Sequence, residues 1–217
     1  MQLFDIPLKP ELSPSRNAQR YYKLYTKAKA AEEHSSAQLA EAKTELKYLE
    51  TVLDSITRAA SYSDISEIRE ELAEQGYIPS LRSNKKQKAK KSAPMEFVSS
   101  DGYTILVGRN NKQNDELTIK TAYSTDIWFH TKTIPGSHTV VRTNGQSELP
   151  DTTILEAASI AAYFSKAQNS SGVPVDYTAI KNVKKPNGSK PGFVIYETNS
   201  TVYVTPDEKL VEKLRKA

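Results

Sequence analysis

The hydrophobic pattern of the first part of the chain predicts one long helix. Apolar or small residues recur at alternating steps of four and three, which is the spacing of a coiled-coil seam. Ser13 is a suitable N-cap, and Pro14 suits the first helical position. At 1.5 Å per residue, residues 15–60 would extend roughly 70 Å. The seam positions are Tyr21, Tyr25, Ala28, Glu32, Ser35, Leu39, Ala42, Leu46, Leu49, Leu53, Ile56 and Ala60.

This seam needs a partner, because the sequence predicts no second helix of matching length. We expect it to pair with a segment of a longer protein or with a second copy of the chain. Glu32 and Ser35 depart from the apolar pattern, so the seam is weakest in the middle. The sequence therefore favours a structural arm that belongs to a larger assembly.

A shorter helix follows the arm. Asp64 and Glu67 have the spacing of a capping box, and Gly76 is a typical C-terminal stop. Residues 80–94 then contain six basic residues and no acidic one, which marks a linker. Such a segment is either a solvated tether or a phosphate-binding run. We predict an arm with a short second helix at 1–79, a basic linker at 80–94 and a separate domain at 95–217.

The domain at 95–217 alternates strand and helix signals, which indicates an α+β fold with a mixed sheet covered by helices. Residues 96–98 and 103–107 flank Ser-Ser-Asp-Gly and predict a hairpin. A helix over 153–166 is expected to start with a capping box of Thr153 and Glu156. The remaining expectations are a short helix over 113–122, strands over 126–130, 139–142, 175–178, 193–197 and 201–205, and a last helix near Pro206.

Composition excludes several classes of protein. The 217 residues contain no cysteine, so disulfide scaffolds, thiolate metal sites and cysteine nucleophiles are excluded. No apolar run reaches the roughly 18 residues of a membrane span, and the first residues lack the features of a signal peptide. We therefore expect a cytoplasmic protein without membrane contact, and the alternative, display at the cell surface, would need an unconventional export route. The net charge of +4 is concentrated in the linker.

Asp126, Trp128 and His130 alternate along one predicted strand and so share a face, with Ser137 and His138 after the next turn. Aspartate, histidine and serine are the residue types of a hydrolytic triad, but no nucleophile elbow accompanies them. Two histidines and a carboxylate could also bind zinc. The residue chemistry alone favours a structural role for all five side chains.

A third interpretation is nucleic-acid binding. Residues 109–114 form an uninterrupted polar stretch between a strand and a helix, which suits phosphates and base edges. Four lysines surround Pro186-Asn187-Gly188-Ser189 and predict a mobile basic loop. The candidate RNA-binding residues are Arg109, Asn110, Asn111, Lys112, Gln113, Asn114, Asp126, Trp128, His130, Lys132, Pro135, Gly136, Ser137, His138, Lys181, Lys184, Lys185 and Lys190.

Several motifs, in order and spacing, resemble the NFACT-R domain: GRNNKQND, DIWFHTK, PGSH, EAASIAAYFSKA, VPVDYT and VKKPNGSKPGFVIY. Upstream, LSPSRNAQRYYKLYTKAK, ELKYLE and SEIREELAEQGYI resemble the second coiled-coil segment of the same RqcH/FbpA/NEMF family. The resemblance covers essentially the whole chain. It implies the C-terminal part of a longer protein, whose N-terminal domains and first coiled-coil helix lie outside this sequence.

The resemblance implies a part in ribosome-associated quality control. Family members bind large ribosomal subunits blocked by stalled peptidyl-tRNA and use alanyl-tRNA to extend the nascent chain. The matching motifs would contact RNA or shape the RNA-binding surface, and neither a cofactor nor a catalytic residue is expected because the ribosome supplies the reaction centre. The alternative is fibronectin binding, since related streptococcal proteins are described as surface adhesins.

Overall fold

The computed structural model describes residues 4–80, 92–146 and 148–216. Most of the predicted basic linker therefore lies outside the described residues. The chain divides into two compact units, residues 1–46 and residues 47–217. In the described ranges, no helix combines the length and the apolar character needed to cross a membrane.

The first unit contains the start of helix α1 (Pro14–Arg58). Ser13 Oγ accepts a hydrogen bond from Arg16 N at 3.3 Å, so the predicted cap is confirmed. Asn17 is buried and holds the preceding segment onto the helix. Its side chain accepts from Lys9 N (2.9 Å) and donates to the carbonyls of Lys9 (3.0 Å) and Leu12 (3.1 Å). Three bonds from one amide fix where the helix begins.

The second unit is built on a six-stranded sheet with the order β1-β2-β4-β3-β5-β8. Every described pairing is antiparallel, so the expected mixed sheet is wrong and the sheet is an antiparallel one. A separate pair, β6 and β7, forms a small hairpin. The strands are β1 (Met95–Val98), β2 (Thr104–Val107), β3 (Ile127–Thr131), β4 (Thr139–Val141), β5 (Val173–Ala179), β6 (Val183–Lys184), β7 (Ile195–Tyr196) and β8 (Ser200–Val204).

The sheet separates two apolar cores, because neighbouring residues of a strand point to opposite faces. Phe129 faces the main core, where helices α4 (Asp151–Tyr163) and α5 (Glu208–Leu214) pack. Trp128 faces a smaller core with Leu117, Val140 and Val183. Helix α3 (Asn111–Asp115), a π-helix (Glu116–Thr121) and a 3₁₀ helix (Ile180–Asn182) complete the domain. The prediction of an α+β fold is confirmed.

Residues 47–80, which we call the helical base, belong to the second unit. They comprise the end of α1 and helix α2 (Tyr62–Glu74), joined by a small core of Tyr48, Val52 and Ile68. The predicted cap of α2 is displaced by three residues, since Ser61 is the N-cap and Asp64 its capping-box partner. Glu67 is consequently free to bind elsewhere.

The predicted capping box of helix α4 is also wrong. The helix begins two residues earlier than expected, after Pro150, and has no side-chain cap. Thr153 Oγ1 instead donates to Asp101 Oδ2 at 2.7 Å, and the Glu156 carboxylate accepts from Ser100 N at 2.8 Å. Both residues tie the helix to the β1–β2 turn. The two side chains that the sequence pattern assigned to a helix cap therefore bind the β1–β2 hairpin instead.

Candidate nucleic-acid interface

Residues 109–114, which we call the amide loop, comprise the last two residues before helix α3 and the first four residues of that helix. Asn110 is the N-cap of α3, and its side chain accepts a hydrogen bond from Gln113 N at 2.9 Å. The side chains of Asn110, Asn111, Gln113 and Asn114 are all buried, with exposed fractions of 1 to 6%. A buried amide must find partners inside the protein. These four side chains therefore shape the structure rather than face outward.

The partners of the amide loop come from helix α2. Glu67 Oε2 accepts from Asn110 Nδ2 (2.7 Å) and from Gln113 Nε2 (3.1 Å). Glu71 Oε1 accepts from Asn111 Nδ2 (3.0 Å) and from the Tyr48 hydroxyl (2.9 Å). Two carboxylates one helical turn apart thus accept three hydrogen bonds from the amide loop and one from Tyr48. The amide loop is the surface on which the helical base docks.

Glu71 is the most deeply buried charge of this contact, with an exposed fraction of 1%. Burial raises the pKa of its carboxyl group, while the hydrogen bonds from Asn111 and Tyr48 act in the opposite direction. Burial also raises the pKa of Tyr48, and the neighbouring Glu71 adds to that effect. The phenol therefore stays protonated and donates, which is the state that a carboxylate acceptor requires.

Several of the predicted basic residues have partners within the protein. Lys112 Nζ lies 2.8 Å from Glu74 Oε1 on α2, and Lys185 Nζ lies 2.8 Å from Asp115 Oδ2. Lys190 Nζ lies 5.2 Å from the ring centre of Tyr48 and 4.9 Å from that of Tyr77. These distances are typical of cation–π contacts. Arg109 is half-buried and donates through Nε to the carbonyl of Ala93 at 2.9 Å.

The expected mobile loop at 185–192 is anchored at both ends. Lys185 and Gly192 share one acceptor, since Gly192 N donates to Asp115 Oδ1 at 3.1 Å. Gly192 has a φ of +76° and lies so close to Asn111 that a Cβ there would be 2.6 Å from its Oδ1. Glycine is the residue that fits such a position. The loop is therefore a fixed part of the docking surface.

The Pro135–His138 turn continues this surface. Ser137 is buried; its hydroxyl donates to the Gly108 carbonyl at 2.6 Å and accepts from Arg58 Nη1 at 2.9 Å. Arg58 is the last residue of α1, so this bond ties the C-terminal end of that helix to the turn. Gly136 is required by a close approach, since a Cβ there would be 2.7 Å from Ser165 Cβ. Pro135 is half-buried.

Two aromatic side chains and two imidazoles form a cluster on the side of the sheet that Trp128 faces. Trp128 stacks on His130 with ring centres 5.6 Å apart, and His138 meets Trp128 edge-on at 5.3 Å. Tyr196 completes the group at 4.8 Å from Trp128. Burial lowers the pKa of His130 and, more strongly, that of His138. Both imidazoles are therefore neutral at physiological pH.

The cluster does not form a hydrolytic or metal site among the described residues. Ser137 is bonded to Arg58 and Gly108, and the Nδ1 of His138 lies 2.7 Å from Thr118 Oγ1. Asp126 is buried and accepts from Arg142 Nη1 at 2.7 Å and from Thr143 N at 3.1 Å. No described group of three or more histidine, aspartate or glutamate side chains is arranged to hold a metal ion.

Three predicted residues keep substantially exposed ammonium groups. Lys132 has an exposed side-chain fraction of 51% and lies 3.8 Å from Asp176 Oδ1, a distant pair. Lys181 and Lys184 are exposed and make no ion pair within the described residues. RNA contact remains a prediction for the whole predicted set, and these three lysines have the most accessible charges in it. The other members of the predicted set are buried or already engaged.

Sequence reasoning missed Glu67, Glu71 and Tyr48. A signal was present, because the segment Glu67–Glu74 reads EIREELAE, and Glu67 and Glu71 in it accept hydrogen bonds from the amide loop. An acidic helix and an amide-rich loop in one chain are complementary. A net charge for each region does not reveal such complementarity between regions.

Comparisons with known proteins agree with this architecture. Residues 94–211 match the family described as "NFACT protein RNA binding domain", and residues 2–91 match "NFACT N-terminal and middle domains". The chain is 50% identical over 214 residues to Rqc2 homolog RqcH of Bacillus subtilis and 45% identical over 212 residues to that of Streptococcus suis. These alignments cover 98% and 97% of the chain but 37% and 38% of the relatives.

A solved structure supports the same assignment. The C-terminal part of the fibronectin/fibrinogen-binding protein from Streptococcus suis superposes with a TM-score of 0.84 at 43% identity, covering 95% of this chain and 82% of the other. The antiparallel sheet domain therefore matches the family described as an RNA-binding domain, and the helical part before it matches the NFACT N-terminal and middle domains. The chain belongs to the NFACT family.

Proposed function

We propose that this chain is the non-catalytic, ribosome-directed part of a longer ribosome quality-control factor. The whole factor would bind large ribosomal subunits obstructed by a stalled nascent chain, together with tRNA, and support alanine tailing in the cytoplasm. The match of residues 94–211 to the RNA-binding domain family carries this proposal. The relatives that are 43 to 50% identical to this chain are named Rqc2 homolog RqcH, and that name supports the proposal. The ribosome would supply the catalytic centre.

The arm supports an assembly role. Leu39, Leu46 and Leu53 keep exposed fractions of 56, 59 and 60% in this chain, although leucine is favoured at helix–helix contacts. We infer that a second helix covers them, either from another segment of the longer factor or from a second copy. Sedimentation over a concentration series distinguishes these sources, since self-pairing requires a dimer at high concentration.

Co-sedimentation with purified large ribosomal subunits tests the proposal. We expect saturable binding at near-physiological salt, weakened when Lys132, Lys181 and Lys184 are changed together to glutamine. A matched variant, Lys209→Gln with Lys213→Gln, removes exposed charge from helix α5 on the other face of the sheet. It should sediment like the parent. A third variant, with the linker lysines at 85, 86, 88, 90 and 91 changed to glutamine, measures the contribution of that segment.

Two outcomes would contradict the proposal. Absence of saturable binding would assign ribosome contact to parts of the factor outside this chain. An equal loss of binding per charge removed, in the Lys132, Lys181 and Lys184 variant and in the α5 variant, would indicate a non-specific effect of net charge. Because phosphate contacts release counterions, true binding should also weaken steeply as salt rises.

A second function is favoured by one observation, the structural similarity to a protein named for fibronectin and fibrinogen binding. This function predicts saturable binding to immobilised fibronectin that survives nuclease treatment and the lysine substitutions above. Binding that disappears with nuclease would instead indicate nucleic acid bridging the two proteins.

A further inference from the structure

The small β6–β7 hairpin has one inward and one outward side. Val183 pairs with Tyr196, and both pack into the core around Trp128. Lys184 pairs with Ile195, and both are exposed, Ile195 with a fraction of 48%. Phe193, two residues before Ile195, is 45% exposed. A lysine and two apolar side chains thus lie together on the outer side of this hairpin.

A second exposed aromatic residue lies on the loop that is bonded to the segment leading into this hairpin. The 3₁₀ helix before β6 is bonded to the loop before β3, since Ile180 N donates to Asp126 O (2.8 Å) and Lys181 N to Ser124 O (3.2 Å). This loop presents Tyr123, which is 71% exposed. Lys181 therefore lies between the loop of Tyr123 and the hairpin. We call the set Tyr123, Lys181, Lys184, Phe193 and Ile195 the outer ribbon.

The outer ribbon is held on a rigid frame. The guanidinium carbon of Arg142 lies 5.0 Å from the Tyr123 ring centre, and Arg142 is itself bonded to buried Asp126. On the other side, Asp115 ties Lys185 and Gly192, the residues next to Lys184 and Phe193. Groups held in advance lose little conformational entropy when they bind. Arg142 covers one face of the Tyr123 ring and leaves the other for a ligand.

The chemistry of the ribbon fits unpaired nucleotides. Aromatic rings stack on bases, and lysines beside them meet the phosphates of the same strand. A duplex keeps its bases stacked inside, so it offers the rings nothing to stack on. Exposed lysines are depleted at the centres of protein–protein contacts, which disfavours a protein partner here. Neither Lys181 nor Lys184 has an ion-pair partner among the described residues that a ligand would need to displace.

We propose that the outer ribbon is a stacking site for single-stranded RNA, with Tyr123 and Phe193 as base platforms and Lys181 and Lys184 as phosphate contacts. This inference rests on the proposed RNA-binding function and gives it a ligand class. It assigns the RNA contact to exposed side chains beside the amide loop and not to the buried amides of that loop.

Fluorescence anisotropy tests the site with the full chain and a labelled oligouridylate of about ten nucleotides. We expect Phe193→Ala with Tyr123→Ala to weaken binding about tenfold or more, since one stacked base contributes roughly 1–3 kcal/mol. Phe193→Tyr should retain binding. The control is Tyr203→Ala, which removes a 73% exposed aromatic ring from β8. All variants keep the linker lysines, so the contribution of that segment is constant.

The salt dependence of RNA affinity distinguishes the loss of a charge from the loss of a stacking ring. Changing Lys181 and Lys184 to glutamine should reduce the slope of log affinity against log salt by about 0.7 per lysine, whereas the aromatic variants should leave the slope unchanged. A duplex of the same length should bind with no dependence on Phe193.

Three results would overturn the inference. The first is full RNA binding by the Phe193→Ala, Tyr123→Ala variant. The second is a loss of affinity in Tyr203→Ala equal to that in this variant. The third is absence of oligonucleotide binding by the parent. In the last case, retained co-sedimentation with ribosomal subunits would leave the proposed function intact. Loss of both activities would remove the function as well as the site.

Discussion

The amide loop and the outer ribbon both combine lysines with polar or aromatic side chains, but they have opposite surroundings. The amide loop faces an acidic helix, and Glu67, Glu71 and Glu74 engage its amides and Lys112. Within the described residues, no acidic side chain pairs with the lysines of the outer ribbon. A polar or basic motif thus becomes an internal contact or a free surface according to what the rest of the chain places opposite it.

The largest expected effect comes from removing the buried carboxylate of the amide loop. Glu71→Ala should lower the free energy of unfolding by about 3 kcal/mol, because one N–H of the Asn111 amide and the Tyr48 hydroxyl lose their buried acceptor. Urea denaturation followed by the fluorescence of Trp128, the single tryptophan, measures this. Glu70→Ala is the control, since Glu70 has an exposed side-chain fraction of 68%. Equal effects would contradict the docking role.

The pH dependence of stability gives Glu71 a second signature. Its pKa is raised in the folded state, so the folded protein retains a proton that the unfolded chain releases near pH 4.5. Stability from this group is therefore fully present below pH 4.5 and falls as pH rises through the raised pKa. Glu71→Gln should remove that fall while keeping an acceptor for Asn111. The slope of unfolding free energy against pH, compared between parent and variant, measures it.

An intermediate effect is expected where the hairpin loop meets the amide loop. Gly188 and Gly192 both have positive φ, +73° and +76°, so alanine at either costs about 1 kcal/mol of backbone strain. Space around Gly188 is open, whereas a Cβ at Gly192 would meet Asn111. Gly192→Ala should therefore destabilise the protein by about 1 kcal/mol more than Gly188→Ala in the same urea experiment. Indistinguishable effects would show that the loop is not held against Asn111.

The secondary structure was largely accessible from the sequence, because period-two and heptad patterns record burial directly. The β1–β2 hairpin, strands β3 and β4 and the start of α1 were found close to their observed positions. The predicted caps of α2 and α4 were wrong, whereas the predicted cap of α1 was confirmed. Asp64 was predicted as the cap of α2, but Ser61 is the N-cap with Asp64 as its reciprocal partner, and Glu67 bonds Asn110 and Gln113 instead.

The site was harder to predict, because function depends on which polar groups stay free. Lys184 and Lys185 are neighbours in sequence, yet Lys185 is paired with Asp115 and Lys184 points outward. Composition assigns both to one basic loop. The difference follows from strand alternation and from a carboxylate 70 residues away, and neither can be read from charge counts. Tyr123 and Phe193 are absent from the predicted RNA-binding residues, because a sequence does not distinguish an exposed aromatic residue from one that packs in the core.

The smallest expected effect compares one lysine from each region. Lys112 contacts two largely exposed glutamates, and surface pairs of this kind contribute about 0.2–1 kcal/mol. Lys112→Gln should therefore lower the unfolding free energy slightly at low salt and have no effect at high salt, where the pair is screened. Lys184→Gln should leave stability unchanged at both salts and reduce RNA affinity instead. If Lys112→Gln alone reduced RNA affinity, the amide loop rather than the outer ribbon would carry the RNA contact.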